Sequence, residues 1–206
     1  MLGIYNYTVI LTYLSMLISF VGVAFSLVGD IQSALICLMV SGVCDMFDGK
    51  IASTMVRTNQ EKRFGIQIDS LSDLICFGVL PAVIVYVSSQ GSIVSLVISG
   101  LFLLCALIRL AWFNVDEEER QSTTDECRSV YLGLPVTTAA LFVPAIMGLG
   151  RIYGWPLHLL GPAILLVMAV AFVTPFRLKK PHLPGKIGML LCGGAELLIL
   201  LRGVGL

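Results

Sequence analysis

An all-α integral membrane protein, a bundle of about six to eight transmembrane helices, is what this sequence predicts, on three observations. Of its 206 residues 57% are hydrophobic and only 13% charged, with a mean hydropathy of +0.95; soluble domains carry about 25% charged residues. The apolar residues gather into seven stretches, near 5–28, 31–56, 66–88, 91–114, 132–150, 155–175 and 187–204. Each approaches the roughly 20 residues that cross a hydrocarbon core. Lys and Arg collect in alternate breaks between them.

The first stretch, MLGIYNYTVILTYLSMLISFVGVAFSL, has no basic segment ahead of its apolar run and is long enough to span. It therefore reads as a membrane helix and not as a cleavable signal peptide. Gly29-Asp30 breaks the chain before the second stretch, and RTNQEKR before the third. SSQG, NVDEEERQSTTDECRS, GRIYGWP and FRLKKPHLPGK separate the remaining spans. All thirteen Lys and Arg residues except Arg151 and Arg202 flank the second, fourth and sixth of these breaks. The positive-inside rule makes that face cytoplasmic and puts the N-terminus on the same side, with the plasma membrane as the expected location. No repeat or soluble segment interrupts the pattern, so residues 1–206 read as a single membrane-embedded domain. A net charge of zero gives no basis for a nucleic-acid partner. The six cysteines, at 37, 44, 76, 105, 127 and 192, form no CxxC pair. They read as reduced thiols, neither a disulfide framework nor a zinc site.

Against this background four carboxylates stand out. CDMFDGKIAS carries Asp45 and Asp48 at the cytoplasmic end of the second span, and RFGIQIDSLSD carries Asp69 and Asp73 at the start of the third. Spacings of three and four residues put each pair on one helical face, roughly 5–6 Å apart along the axis. The break between the spans is short, which makes them antiparallel neighbours with acidic faces at one depth. Four such groups repel and are costly to desolvate unless a hard, oxygen-preferring cation such as Mg2+, Mn2+ or Ca2+ joins them. The bland alternative is solvated helix ends, or ion pairs with Lys50, Arg57 and Arg63. Four acids beside small or polar residues (Gly49, Ala52, Gly65, Ser70, Ser72) favour the metal. Gly49 and Gly65, lacking Cβ, let backbone and ligand approach closely.

Asp45-x2-Asp48-Gly49-x2-Ala52, followed by Gly65-x3-Asp69-x3-Asp73, resembles the signature of the CDP-alcohol phosphotransferase family. The runs FGIQIDSLSDLICFGVLPA, IRLAWFNV and YLGLPVTTAA are similar to its bacterial and archaeal phosphatidylserine synthase branch, and the resemblance covers about residues 8 to 145. It implies a membrane enzyme that moves a phosphatidyl group from CDP-diacylglycerol to the hydroxyl of L-serine, releasing CMP, in phospholipid biosynthesis. It also implies Mg2+ or Mn2+ held by Asp45, Asp48 and Asp69, with Asp73 as general base and a further metal contact. A donor site around Gly49, Ala52 and Gly65, and a homodimer, follow from the same resemblance. Two departures are visible. Ser53 stands where the family carries Arg, so Arg57, one helical turn on, or Lys62 and Arg63, are expected to meet the donor phosphates; the stretch before Gly65 is also longer than usual. Thr12 and Ser15 stand near the place of an Asn in the family's first helix and join the expected donor site, although helix packing explains such hydroxyls equally well.

Serine brings a carboxylate, which asks for a cation near the acids. Arg109 lies at their depth, at the end of the fourth span, and Arg128 lies near YLGLP; both are candidates for acceptor binding. Glycerol 3-phosphate, inositol phosphate and choline-like alcohols are alternative acceptors, and phosphorylated ones want several converging cations. A divalent-cation transporter is the rival from a different class, but transporters place such acids near mid-membrane in broken helices or repeats. DEEER at 116–120 reads as a solvated loop, and Glu196 as an intramembrane acid packed against a polar neighbour. His158 and His182 sit at span ends and are not expected to hold metal.

Overall fold

Side-chain caps set some of the helix ends of this protein in the computed structural model, which describes residues 3–123, 130–179 and 183–202. α1 spans Tyr7–Leu27 and α2 Ile31–Ala52. Between them Asp30 caps α2 by accepting the Ser33 N–H at 3.1 Å, and the bonds from Ser33 hold its carboxyl below the usual carboxylate range. α2 stops short of the predicted end at 56. There the Ser53 and Thr54 hydroxyls bond back to the Lys50 and Ile51 carbonyls at 2.7 and 2.8 Å as the chain turns away.

α3, Asn59–Asp73, begins earlier than the apolar run suggests. Thr58 and Glu61 form a reciprocal capping box: Thr58 Oγ1 accepts the Glu61 N–H at 3.2 Å, and Glu61 Oε2 accepts the Thr58 N–H at 2.8 Å. The helix continues through a π-helical segment, Leu74–Val79, into α4, Leu80–Ser88, as one pass of 30 residues. α5, Ile93–Thr123, runs past the predicted end at 114. The acidic run expected as a loop is helical, built from good helix formers with Glu117 paired to Arg120 one turn on.

The expected fifth span, 132–150, is not one helix. Val130–Leu132 (β1) pairs antiparallel with Arg177–Lys179 (β2), a short strand pair in an otherwise helical chain. Gly133 turns at φ +74°, Pro135 leads into a 3-10 turn at Val136–Thr138, and α6 covers Ala139–Ile152. α7, Leu157–Val173, and α8, Leu183–Arg202, follow. Among the described residues 4 helical passes are long and apolar enough to cross a membrane: Tyr7–Leu27, Ile31–Ala52, Asn59–Ser88 and Ile93–Arg120. Val136–Ile152 and Leu157–Val173 are shorter apolar helices.

Small residues let these helices close on one another. In the α1–α2 seam Ser19 Oγ and Ser41 Oγ lie 2.8 Å apart, while Ser15 Oγ donates to the Ser41 carbonyl and Ser41 Oγ to the Ser15 carbonyl. A Cβ on Gly22 would stand 2.8 Å from Cys37 Cβ, and one on Gly42 2.6 Å from Ala140 Cβ on α6. The absence of those atoms sets the helix separation. Phe77, Leu80, Ile84, Phe102, Leu165 and Phe172 fill the centre. The outward rows of α1 and α5 (Ile10, Leu14, Leu17; Leu101, Leu104, Ile108) stay exposed, as lipid-facing residues do. Cys37, Cys44, Cys76, Cys105 and Cys192 are unpaired; Cys127 lies outside the described residues.

Candidate active site

α3 packs on α1 and α5, whereas α2 meets that long pass mainly along its π segment and α4. The acid-bearing turns of α2 and α3 therefore face each other across a gap, not flank to flank as the short break suggests. Two buried serines fix the rotation of α3. Ser70 Oγ donates to Asn114 Oδ1 on α5 at 2.6 Å, and Ser72 Oγ donates to the Thr12 carbonyl on α1 at 3.2 Å. With those positions committed to the flanks, Asp69 and Asp73 turn toward α2.

Carboxylate oxygens of Asp45, Asp48 and Asp69 lie within 4.8 Å of one another. Because the helices run in opposite directions, Asp48 meets Asp69 at the outer level and Asp45 meets Asp73 one turn deeper. Each pair is within side-chain hydrogen-bonding reach. Among the described residues no Lys or Arg forms an ion pair with any of the four. Arg63 reaches Glu118 at 3.0 Å, Arg120 pairs with Glu117, and Lys50 sits 5.6 Å from the Phe47 ring centre. An oxygen-only donor set with no protein cation paired to it fits a hard divalent ion. The ion pairs with Lys50, Arg57 and Arg63 offered as the alternative are absent among the described residues.

Two cavities meet at the cluster. The first, about 700 Å³, is bounded by Asp48, Asp69, Gly49, Ala52 and Gly65, with Arg57, Lys62, Arg63 and Arg120 around it. Thr12 and Thr8 line it too, and the Thr12 hydroxyl reaches Asp48 Oδ2 at 3.5 Å. Arg57 does not continue α2 by a helical turn; it lies in the following loop and folds back over α3. Its Nη1 would stand 3.3 Å from a Cβ on Gly65, so a side chain there would crowd the guanidinium. Ser15 lies in the α1–α2 seam and does not line this cavity. Arg120 joins the set only because α5 stays helical through its acidic run.

The second cavity, about 600 Å³, lies against Asp45, Asp69 and Asp73 together with Arg109, Thr137 and Thr138. Met39, Val43, Leu141 and Leu197 supply its apolar wall. Asp69 borders both spaces. Arg109 is only 7% exposed, its Cζ 5.8 Å from the centre of the Phe113 ring. Arg128 and His182 lie outside the described residues. Glu196 stands on α8 beside Gly193 and Leu197 of the cavity wall, and its buried Oε2 has no hydrogen-bond partner among the described residues, in place of the polar neighbour expected. Asn114, which anchors Ser70, was not singled out by the sequence; only the packing of α5 on α3 reveals it.

A sequence model of the CDP-alcohol phosphatidyltransferases matches residues 5–175. The chain is similar to the CDP-diacylglycerol–serine O-phosphatidyltransferase of Helicobacter pylori, 35% identical over 116 residues, which are 54% of this chain and 45% of the relative. The Saccharomyces cerevisiae protein of the same name is 36% identical over 104 residues, 50% of this chain and 37% of the relative. An archaetidylserine synthase of Methanothermobacter thermautotrophicus is 30% identical over 125 residues, 60% of this chain and 50% of the relative. The chain spans about half the length of the curated relatives it matches. With the motif carboxylates converged on one gap and the family match covering most of its length, this chain belongs to the CDP-alcohol phosphatidyltransferase family.

Proposed function

We propose that this chain transfers a phosphatidyl group from CDP-diacylglycerol to the hydroxyl of L-serine, yielding phosphatidylserine and CMP. The observation that carries this reading is the division of charge between the cavities. Arg57, Lys62, Arg63 and Arg120 line the first, and among the described residues Arg109 is the one cation lining the second. Several cations suit a diphosphate, whereas one buried guanidinium suits one carboxylate and leaves a phosphorylated acceptor underserved. Serine in the names of similar proteins supports the same acceptor.

In this reading the donor straddles the acids. Cytidine and diphosphate occupy the first cavity, the lipid-bearing phosphorus sits at the carboxylates, and the glycerolipid follows the apolar wall of the second. Serine docks its carboxylate on Arg109. Its Oγ bonds to phosphorus from the second-cavity side, the bond from phosphorus to the CMP oxygen breaks on the first-cavity side, and Asp73 accepts the hydroxyl proton. Mg2+ or Mn2+ held by Asp45, Asp48 and Asp69 supplies charge neutralisation at the diphosphate when bound. Ser70 and Ser72 hydrogen-bond away from the cluster, with no His or Lys beside them among the described residues, and in this reading transfer is direct, the aspartates holding metal or accepting the proton. The chain acts as one membrane domain, with its N-terminus and acids at the cytoplasmic face of the plasma membrane on the positive-inside argument. The homodimer implied by the family completes the reading.

The test is purified protein in lipid vesicles given CDP-diacylglycerol and, in turn, labelled L-serine, glycerol 3-phosphate, inositol phosphate and choline. Mg2+- or Mn2+-dependent CMP release with label entering lipid from serine alone is the expected result. Preference for glycerol 3-phosphate would overturn the acceptor assignment. CMP release with none of them would overturn the enzyme.

A further inference from the structure

Arg109 is built into a wall. On its own helix the Phe113 ring lies against the guanidinium. From outside the helix comes the turn at Gly133, where an added Cβ would stand 3.5 Å from Arg109 Nε. The same atom would lie 3.0 Å from the Phe172 carbonyl oxygen and 3.2 Å from that of Thr174, so the turn is pressed onto the end of α7. Two backbone bonds close it there: Gly133 N–H to the Phe176 carbonyl at 2.8 Å, and Leu134 N–H to the Ala171 carbonyl at 3.1 Å. The strand pair β1–β2 extends this clasp directly from Leu132 and Arg177. A φ of +74° is the left-handed region that favours glycine.

We propose that Gly133 is a positioning residue. Its left-handed turn closes the clasp onto α7 and forms, with Phe113, the wall that holds the Arg109 guanidinium at the acid-bearing end of the second cavity. The clasp thereby sets affinity for the acceptor's carboxylate. The inference rests on the acceptor reading of Arg109 given above. An unrestrained arginine side chain loses rotamer freedom when it is fixed on a ligand. Fixing it before the substrate arrives removes part of the cost of binding.

The experiment measures serine KM, donor KM and kcat for Gly133→Ala, Arg109→Ala, their double variant, and Gly154→Ala. Gly154 is the control: it shares the positive φ, at +66°, but nothing lies within 4 Å of its absent Cβ. Gly133→Ala is expected to raise serine KM about ten-fold while donor KM and kcat stay within about two-fold. Gly154→Ala should leave serine KM unchanged, and the double variant should match Arg109→Ala alone. Where Gly133→Ala fails to fold, Phe113→Leu tests the same wall and should give the same serine-only change, lost in the Arg109→Ala background. A Gly133→Ala enzyme that behaves like Gly154→Ala, additive effects in the double variant, or a parallel fall in kcat and donor affinity overturns the positioning role. An Arg109→Ala enzyme with unchanged serine KM overturns the acceptor reading and this inference with it. A large Arg109→Ala effect beside an unaffected Gly133→Ala and Phe113→Leu overturns this inference alone.

Discussion

At the scale of single residues, the four aspartates separate by level. Asp48 and Asp69 lie outermost, Asp45 and Asp73 one turn deeper. Replacing Asp45, Asp48 or Asp69 by Asn should lower CMP release about a thousand-fold, some 4 kcal/mol of transition-state stabilisation. The same variants should weaken Mn2+ binding followed by electron paramagnetic resonance. Asp73→Asn differs: it should still bind metal and donor but turn over slowly, because it lacks the proton acceptor and not the ion. Full activity of the unaltered enzyme in a chelator, or of the first three variants, would sink the metal assignment. The two arginines divide along the cavities. Arg57→Ala should raise KM for CDP-diacylglycerol, and Arg109→Ala should raise KM for serine, each about ten-fold or more from the loss of a charge-assisted bond. Steady-state kinetics with each substrate varied separately checks this, and identical phenotypes would mean that the cavities are not two subsites.

At the scale of elements, helix contacts depend on missing atoms as much as on present ones. Gly42→Val should force α2 away from α6, since even its Cβ would come within 2.6 Å of Ala140 Cβ. Overpacking of this kind costs about 1–3 kcal/mol, visible as a lower melting temperature in detergent. Gly49→Ala, with open space at its Cβ, should leave that temperature unchanged. The sequence exposes the apolar passes and the acidic spacing because both are local: runs of one length, and carboxylates at helical intervals. It does not expose the strand pair, whose three-residue partners are separated by two helices. Nor does it expose the extension of α5, where charge reads as loop although the residues favour helix. Arg57 was legible as a cation near the motif but not as a loop residue folded over Gly65, because Ser53 and Thr54 end α2 through their own hydroxyls. Asn114 and Gly133 act through tertiary neighbours, which no spacing encodes.

At the scale of the whole molecule, orientation decides which compartment supplies the substrates. Alkaline phosphatase, active only outside the cytoplasm, should be active when fused after Gly154 and inactive when fused after Thr123; the reverse pattern would invert the topology. The shared border at Asp69 carries a kinetic consequence as well. With Asp69 the lining residue common to both, the proposed mechanism gives each product its own exit and each substrate its own rival. CMP should compete with CDP-diacylglycerol, whose cytidine it shares, and inhibit noncompetitively against serine. A serine analogue lacking the hydroxyl should show the mirror image. The plots should intersect, as they do when both substrates are held at once, and parallel lines would mean that the enzyme releases CMP before serine ever arrives.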